Sequence, residues 1–170
     1  MPQTTPPVAI GLINPKSASN VGAVMRAAGC YQAGHIYYTG ERFARAAKYH
    51  TDTKNHASNI PLTAVENLSD HAQDRKIVCI ELAEGAIALP EFQHPENALY
   101  IFGPEDGSIP QSLIDQAHAT VYVPTIGCMN LAATVNVVLY DRLAKSHGDI
   151  DHMARIRSSR DINNRLIVKR

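Results

Sequence analysis

Residues 8–31 read VAIGLINPKSASNVGAVMRAAGCY, and the order of residue types in that stretch sets the architecture. Val8 to Ile13 is a short apolar run closed by Asn14-Pro15, the pattern of a buried strand ending in a turn. A helix is expected next: Asn20 can act as its N-cap, Val21, Val24, Ala28 and Tyr31 recur at helical spacing, and Gly34 can end it. His35 to Thr39 then reads as a second strand. The alternation continues, with strands expected at Ile77 to Glu81, Leu99 to Phe102 and Thr120 to Val123 and helices at Thr63 to Ala72, Pro110 to Ala117 and Asn130 to Ser146. Short apolar strands alternating with helices predict an α/β fold, a mostly parallel sheet covered by helices on both faces, with ligands bound in the loops at the strands' carboxyl ends.

Three of those loops carry unusual chemistry. In Asn20-Val21-Gly22-Ala23-Val24-Met25-Arg26 the small residues leave backbone amides open to close approach, which suits anion binding, although an ordinary capped helix bearing a surface arginine has the same signature. Arg26 follows Asn20 by six residues, one and two-thirds turns, so the two need not share a face. The second loop, Phe102 to Pro110, reads FGPEDGSIP; it lacks both the G-x-G-x-x-G spacing of a dinucleotide site and the lysine of a P-loop. Its adjacent Glu105 and Asp106 would repel a triphosphate but tolerate a cationic sulfonium, or they are simply an acidic turn entering a helix. The third, Val123-Pro124-Thr125-Ile126-Gly127-Cys128-Met129-Asn130-Leu131, opens a helix whose Leu131, Val135, Val138, Leu139 and Leu143 form an apolar stripe best read as core, with Asn130 at least an N-cap.

Composition narrows the classes. A chain of 170 residues with 45% hydrophobic content buries one substantial core. Residues 1–148 are expected to be that domain and 149–170 a basic extension. MPQTTPP at the start has neither a basic cluster nor an apolar run, and no stretch approaches a membrane span, so a soluble cytoplasmic protein is expected. Cys30, Cys79 and Cys128 have no metal-ligand spacing, and His50 and His56, six apart, suit a solvated or RNA-facing loop; no metal is expected. The net charge of zero hides asymmetry: Glu66 to Asp115 holds ten acidic residues against Arg75 and Lys76, whereas residues 155–170 hold six bases against Asp161. Arg42, Arg45, Lys48 and Lys54 make a second basic cluster. Both basic segments are either RNA contacts or solvated faces.

The ordered set NxGAxxR, FGPExG and VP…MNL, spread over roughly Val8 to Lys145, resembles the three motifs of the SpoU-like branch of the SPOUT RNA methyltransferases. The resemblance implies an α/β domain with a C-terminal trefoil knot, a homodimer, and S-adenosylmethionine as methyl donor to RNA, at a ribose 2′-hydroxyl, with tRNA ahead of rRNA. Carried over, it makes Arg26, Asn130 and Glu105 catalytic and puts Asn20 near the RNA ribose and phosphate, with Arg42 and Arg45 as further RNA contacts. Leu82, Ala83, Gly103, Val123 and Met129 would line the cofactor site. The residue two before Asn130 departs from the pattern, being Cys128 where the family has serine; a thiol is a weaker hydrogen-bond donor, and the knot is expected to bury it. That departure is what would fit a non-catalytic RNA-binding protein retaining the knot. A different small-molecule α/β enzyme would bind a cofactor without binding RNA.

Overall fold

The computed structural model describes residues 6–49, 60–146 and 148–169. His50, Lys54 and His56 lie outside the described residues. Seven parallel strands, β1 (Val8–Leu12), β2 (His35–Tyr38), β3 (Leu62–Ala64), β4 (Lys76–Ile80), β5 (Ile87–Ala88), β6 (Ala98–Phe102) and β7 (Ala119–Tyr122), form one sheet in the order β3-β2-β1-β6-β4-β7-β5. β1 and β6 are buried at every position, as central strands of a two-sided sheet must be. Helices α1 (Ala18–Cys30) and α4 (Leu131–Lys145) pack together on one face, burying Val21, Val24, Ala27 and Ala28 with Val135, Val138 and Leu139. The other face packs Ala9, Leu99 and Ile101 against Leu68, Ile109 and partly buried Leu113 of α3 (Gln111–Gln116). Gly11 makes this second layer close: a Cβ there would lie 3.2 Å from Leu68 Cδ1 and 3.3 Å from Ile101 Cγ1. An alanine there would fit only if the Leu68 and Ile101 side chains gave way by a few tenths of an ångström.

Several boundaries differ from the sequence expectation. The helix expected at Thr63 to Ala72 is instead β3 and a 3-10 turn at Ser69–His71, because residues 62–64 find a ladder partner in the open edge of β2. Helix α2 (Arg42–Tyr49), strand β5 and helix α5 (His152–Ser159) were not anticipated. α1 starts earlier than expected: Ser17, not Asn20, is its N-cap, its Oγ accepting from Asn20 N at 3.3 Å. Leu143 of the α4 stripe is exposed.

The far end of α4 is tied to the segment before β6. Arg142 donates to the carbonyls of Pro95 and Glu96, each at 2.6 Å, and Lys145 to that of Leu89 at 2.6 Å. His94 bridges the Tyr100 hydroxyl (2.7 Å) and Asp141 (2.8 Å), and burial, outweighing Asp141, lowers its pKa. Beyond α4, every residue from Asp151 to Lys169 is exposed, α5 included. Among the described residues no helix is long and apolar enough to cross a membrane.

Candidate functional site

Strand order reverses between β1 and β6: β2 and β3 extend to one side, β4, β7 and β5 to the other. At such a switch point the loops leaving neighbouring strands diverge and open a crevice. A cleft of about 470 Å³ lies on the β6, β4, β7 side of it, within the range that holds a cofactor-sized ligand. Its walls are the ends of three strands and the loops that follow: Ile80, Glu81 and Leu82; Phe102 to Glu105 with Gly107; and Tyr122, Val123, Thr125 and Gly127 to Leu131. Asn20 and Thr134 complete it from α1 and α4.

The three sequence loops meet at its rim. Asn20, released from capping, donates from Nδ2 to Glu105 Oε1 at 3.1 Å and accepts at Oδ1 from Asn130 Nδ2 at 2.9 Å. Asn130 uses its own Oδ1 to cap α4, accepting from Ala132 N (2.9 Å) and Ala133 N (3.3 Å). Glu105 also accepts from the N–H groups of Lys16 (3.0 Å) and Ser17 (3.3 Å). Partial burial pushes its pKa up, but its own backbone N–H, Asn20, Lys16 and Ser17 prevail and hold it below the usual carboxylate value. Glu105, Asn20 and Asn130 thus form a hydrogen-bonded chain, with residues 85 and 110 positions apart in direct contact.

Of the other expected residues, Leu82, Gly103, Val123 and Met129 line the cleft. Ala83 does not; its N–H turns back to the Glu81 carbonyl at 3.1 Å. Arg26 also stands outside the cleft, exposed on α1. Six residues of helix turn it about 240° from Asn20, away from the crevice its own chain forms. Arg42 is not free for phosphate: it donates to Asp106 at 2.8 and 3.0 Å and to the Asn14 carbonyl at 2.6 and 3.1 Å. That pairing, Arg42 first, holds the Asp106 pKa below its usual value. Arg45 is paired on the surface with Glu41 at 2.6 Å. Cys128 lines the cleft and is exposed, correcting the expectation of a buried thiol; the loop turns outward at Gly127, whose φ of 88° favours glycine. Sequence reasoning missed Glu81, whose Oε2 accepts from Ile109 N at 2.9 Å and whose Oε1 accepts from Leu82 N at 2.9 Å. Its only sequence signal was the end of an apolar strand.

The model of the SpoU rRNA Methylase family matches residues 7–140, more than three quarters of the chain. No curated protein matches at a significant level. Solved structures of similar fold include an rRNA methyltransferase from Sinorhizobium meliloti (17% identity, TM-score 0.65, covering 86% of this chain and 60% of that one). A second is an RNA methyltransferase of the TrmH family from Porphyromonas gingivalis, described in its own naming without established activity (16%, 0.66, 84% and 61%). A third comes from work on 2-OH methylation of C/U34 on tRNA (18%, 0.66, 84% and 92%). The chain therefore spans about three fifths of the first two.

Proposed function

The chain belongs to the SpoU rRNA methylase family, and from that premise we propose that it methylates a ribose 2′-hydroxyl of RNA with S-adenosylmethionine. The observation that carries this reading is the Glu105–Asn20–Asn130 chain, which joins three motif loops at the rim of one cleft. The cleft fits the donor in shape and charge: Leu82, Val123, Met129 and Leu131 offer apolar contact for a nucleoside. Gly103 brings bare backbone to the wall of the cleft, beside Glu81 and Ile109. Among the described residues, the charged ones lining it, Glu81 and Glu105, are acidic. tRNA ranks ahead of rRNA because the chain covers 92% of the compact protein studied for tRNA methylation. The C-terminal trefoil knot implied by the family is supported by the strand order, in which β6 and β7 flank β4 and their loops line one cleft. Residues 1–148 are the methyltransferase domain, 149–170 a basic RNA-contacting extension, and the cytoplasm, where thiols stay reduced, suits the free cysteines.

When bound along Leu82, Gly103, Val123 and Met129, the donor would supply a methyl carbon activated by positive sulfur. The protein's work is alignment and charge stabilisation. Asn20 and Asn130 present amides at the rim where a ribose would sit, and Glu105 fixes their orientation. Arg26, a cation with N–H donors and no acceptor, suits stabilisation of developing oxyanion charge rather than proton abstraction. Because it faces away from its own cleft, it would serve the cleft of a second copy. A homodimer seated over α1 and α4 would also cover Val137, Tyr140 and Leu143, exposed on α4.

Labelled methyl transfer from S-adenosylmethionine into total cellular RNA tests the reading. The expected product resists alkaline cleavage, since a methylated 2′-oxygen cannot attack the neighbouring phosphate. Label on a base, or RNA retention without transfer, would overturn it; the latter would favour the binding-protein reading that Cys128 suggests.

A further inference from the structure

Among the described residues, Glu81 is the one charged group lining the cleft that lies outside the three motif loops. Its carboxylate is half-buried at the end of β4. One oxygen accepts from Leu82 N and the other from Ile109 N, each at 2.9 Å, and Gly103 packs against it. It therefore ties the end of β4 to the end of the 103–109 loop, with Gly103 alongside. Both partners are neutral N–H groups, and no lysine, arginine or histidine pairs with Glu81 among the described residues. Its negative charge is hydrogen-bonded but not cancelled. Glu105, the other acidic lining residue, is more exposed and tied to the α1 start, so Glu81 is the carboxylate set deepest among the strand ends.

We infer that Glu81 is a specificity residue: its charge makes the cleft hold a sulfonium nucleoside more tightly than the corresponding neutral thioether, so that spent cofactor is released in favour of fresh donor. The inference rests on the proposed donor. The two ligands differ by one methyl group and one positive charge, since the departing methyl leaves its bonding pair on sulfur. Their affinity ratio therefore reads the field inside the cleft, whereas any loosening of the 103–109 loop weakens both alike. A carboxylate several ångströms from sulfur, at a permittivity between protein and water, accounts for a preference of about fivefold.

Calorimetric titration of the full chain with S-adenosylmethionine and, separately, S-adenosylhomocysteine tests this. The unmodified protein is expected to prefer the sulfonium, and Glu81→Gln to lose about fivefold of that preference, chiefly through weaker sulfonium binding. Glu81→Asp keeps the charge but cannot span to Ile109 N, so it should weaken both ligands while preserving their ratio. A ratio unchanged in Glu81→Gln would overturn the inference and leave Glu81 as a brace for the loop. Should Glu81→Gln not fold, a salt series on the unmodified protein reads the same field: the preference should narrow between about 20 mM and about 500 mM salt, and a constant ratio would overturn the inference. Failure of the unmodified protein to bind either ligand would instead overturn the donor assignment, and the inference with it.

Discussion

Asn20→Asp is the most informative single change at the rim, because it replaces one NH2 by oxygen without altering shape. Asn20 Oδ1 would still accept from Asn130, but the atom now donating to Glu105 at 3.1 Å would become a second carboxylate oxygen. Two unit charges at that distance repel by roughly 1 kcal/mol in water and about 5 kcal/mol at an effective permittivity of 20. Glu105 is exposed and solvent-screened, so the lower part of that range applies, about 1.5–2 kcal/mol, or a ten- to thirtyfold loss of turnover near pH 8. The pH dependence carries the sharper signature. Glu105 normally titrates below the usual carboxylate range, because N–H donors stabilise its charge. In the variant the two carboxylates cannot both ionise cheaply, so the pair retains a proton at higher pH and shares it as an O–H···O bond. The variant's deficit should shrink as pH falls from about 8 to about 5.5, while Asn20→Ala, which has no proton to regain, keeps a constant deficit. Methyl transfer under single-turnover conditions across that range is the assay. An Asn20→Asp deficit that is constant with pH, or under threefold throughout, would refute the role of the Glu105–Asn20–Asn130 chain.

Arg26→Ala should leave donor affinity within about twofold and cut turnover by about a hundredfold or more; mixing it with Glu105→Ala should restore activity if the site is shared between copies, and no recovery would refute sharing. Removing residues 155–170 should weaken RNA binding and flatten its salt dependence, read from affinities at several salt concentrations, because each lost phosphate contact reduces counterion release. Cys128→Ser should change turnover by less than about tenfold, since its loop is exposed and the amides and charges at the rim come from other residues. Arg42→Ala should raise the KM for RNA several-fold by unmasking Asp106, and adding Asp106→Asn should recover most of the loss; no recovery would show that Arg42 itself meets the RNA.

Much of the frame was legible because it depends on local pattern. The continuous apolar runs of β1 and β6, the α4 stripe and the Asn130 cap follow from burial and from the first-turn N–H groups, and each recurs in the structure within a residue or two. What escaped depends on distant pairing. Thr63 and Ala64 joined an open sheet edge that no neighbouring residue announces. Asn20 looked like a cap until Ser17 took that role, and only then was its amide free to reach Glu105 and Asn130. Glu81 ends an apolar strand, and its partner Ile109 is 28 residues away. Six residues of helical turn already set Arg26 off Asn20's face; that its own cleft excludes it became evident only with the loops in place.

The net charge of zero now has a physical reading. On the reading proposed above, the chain must admit a cationic donor and a polyanionic substrate at adjacent positions, and one sign of charge cannot serve both. Among the described residues the charged ones lining the cleft are carboxylates, while the exposed or partly exposed arginines of α1, α2 and the residues after Asp151 stand outside it. Asp106 follows Glu105 but does not line the cleft, and Arg42 pairs with it at 2.8 Å. Without that pairing an unpaired acidic side chain would stand beside the rim. On the proposed reading, Arg42 therefore masks repulsion at the rim rather than grasping RNA, and exposed Arg26 and the basic residues after Asp151 are among the described cations that could meet the substrate.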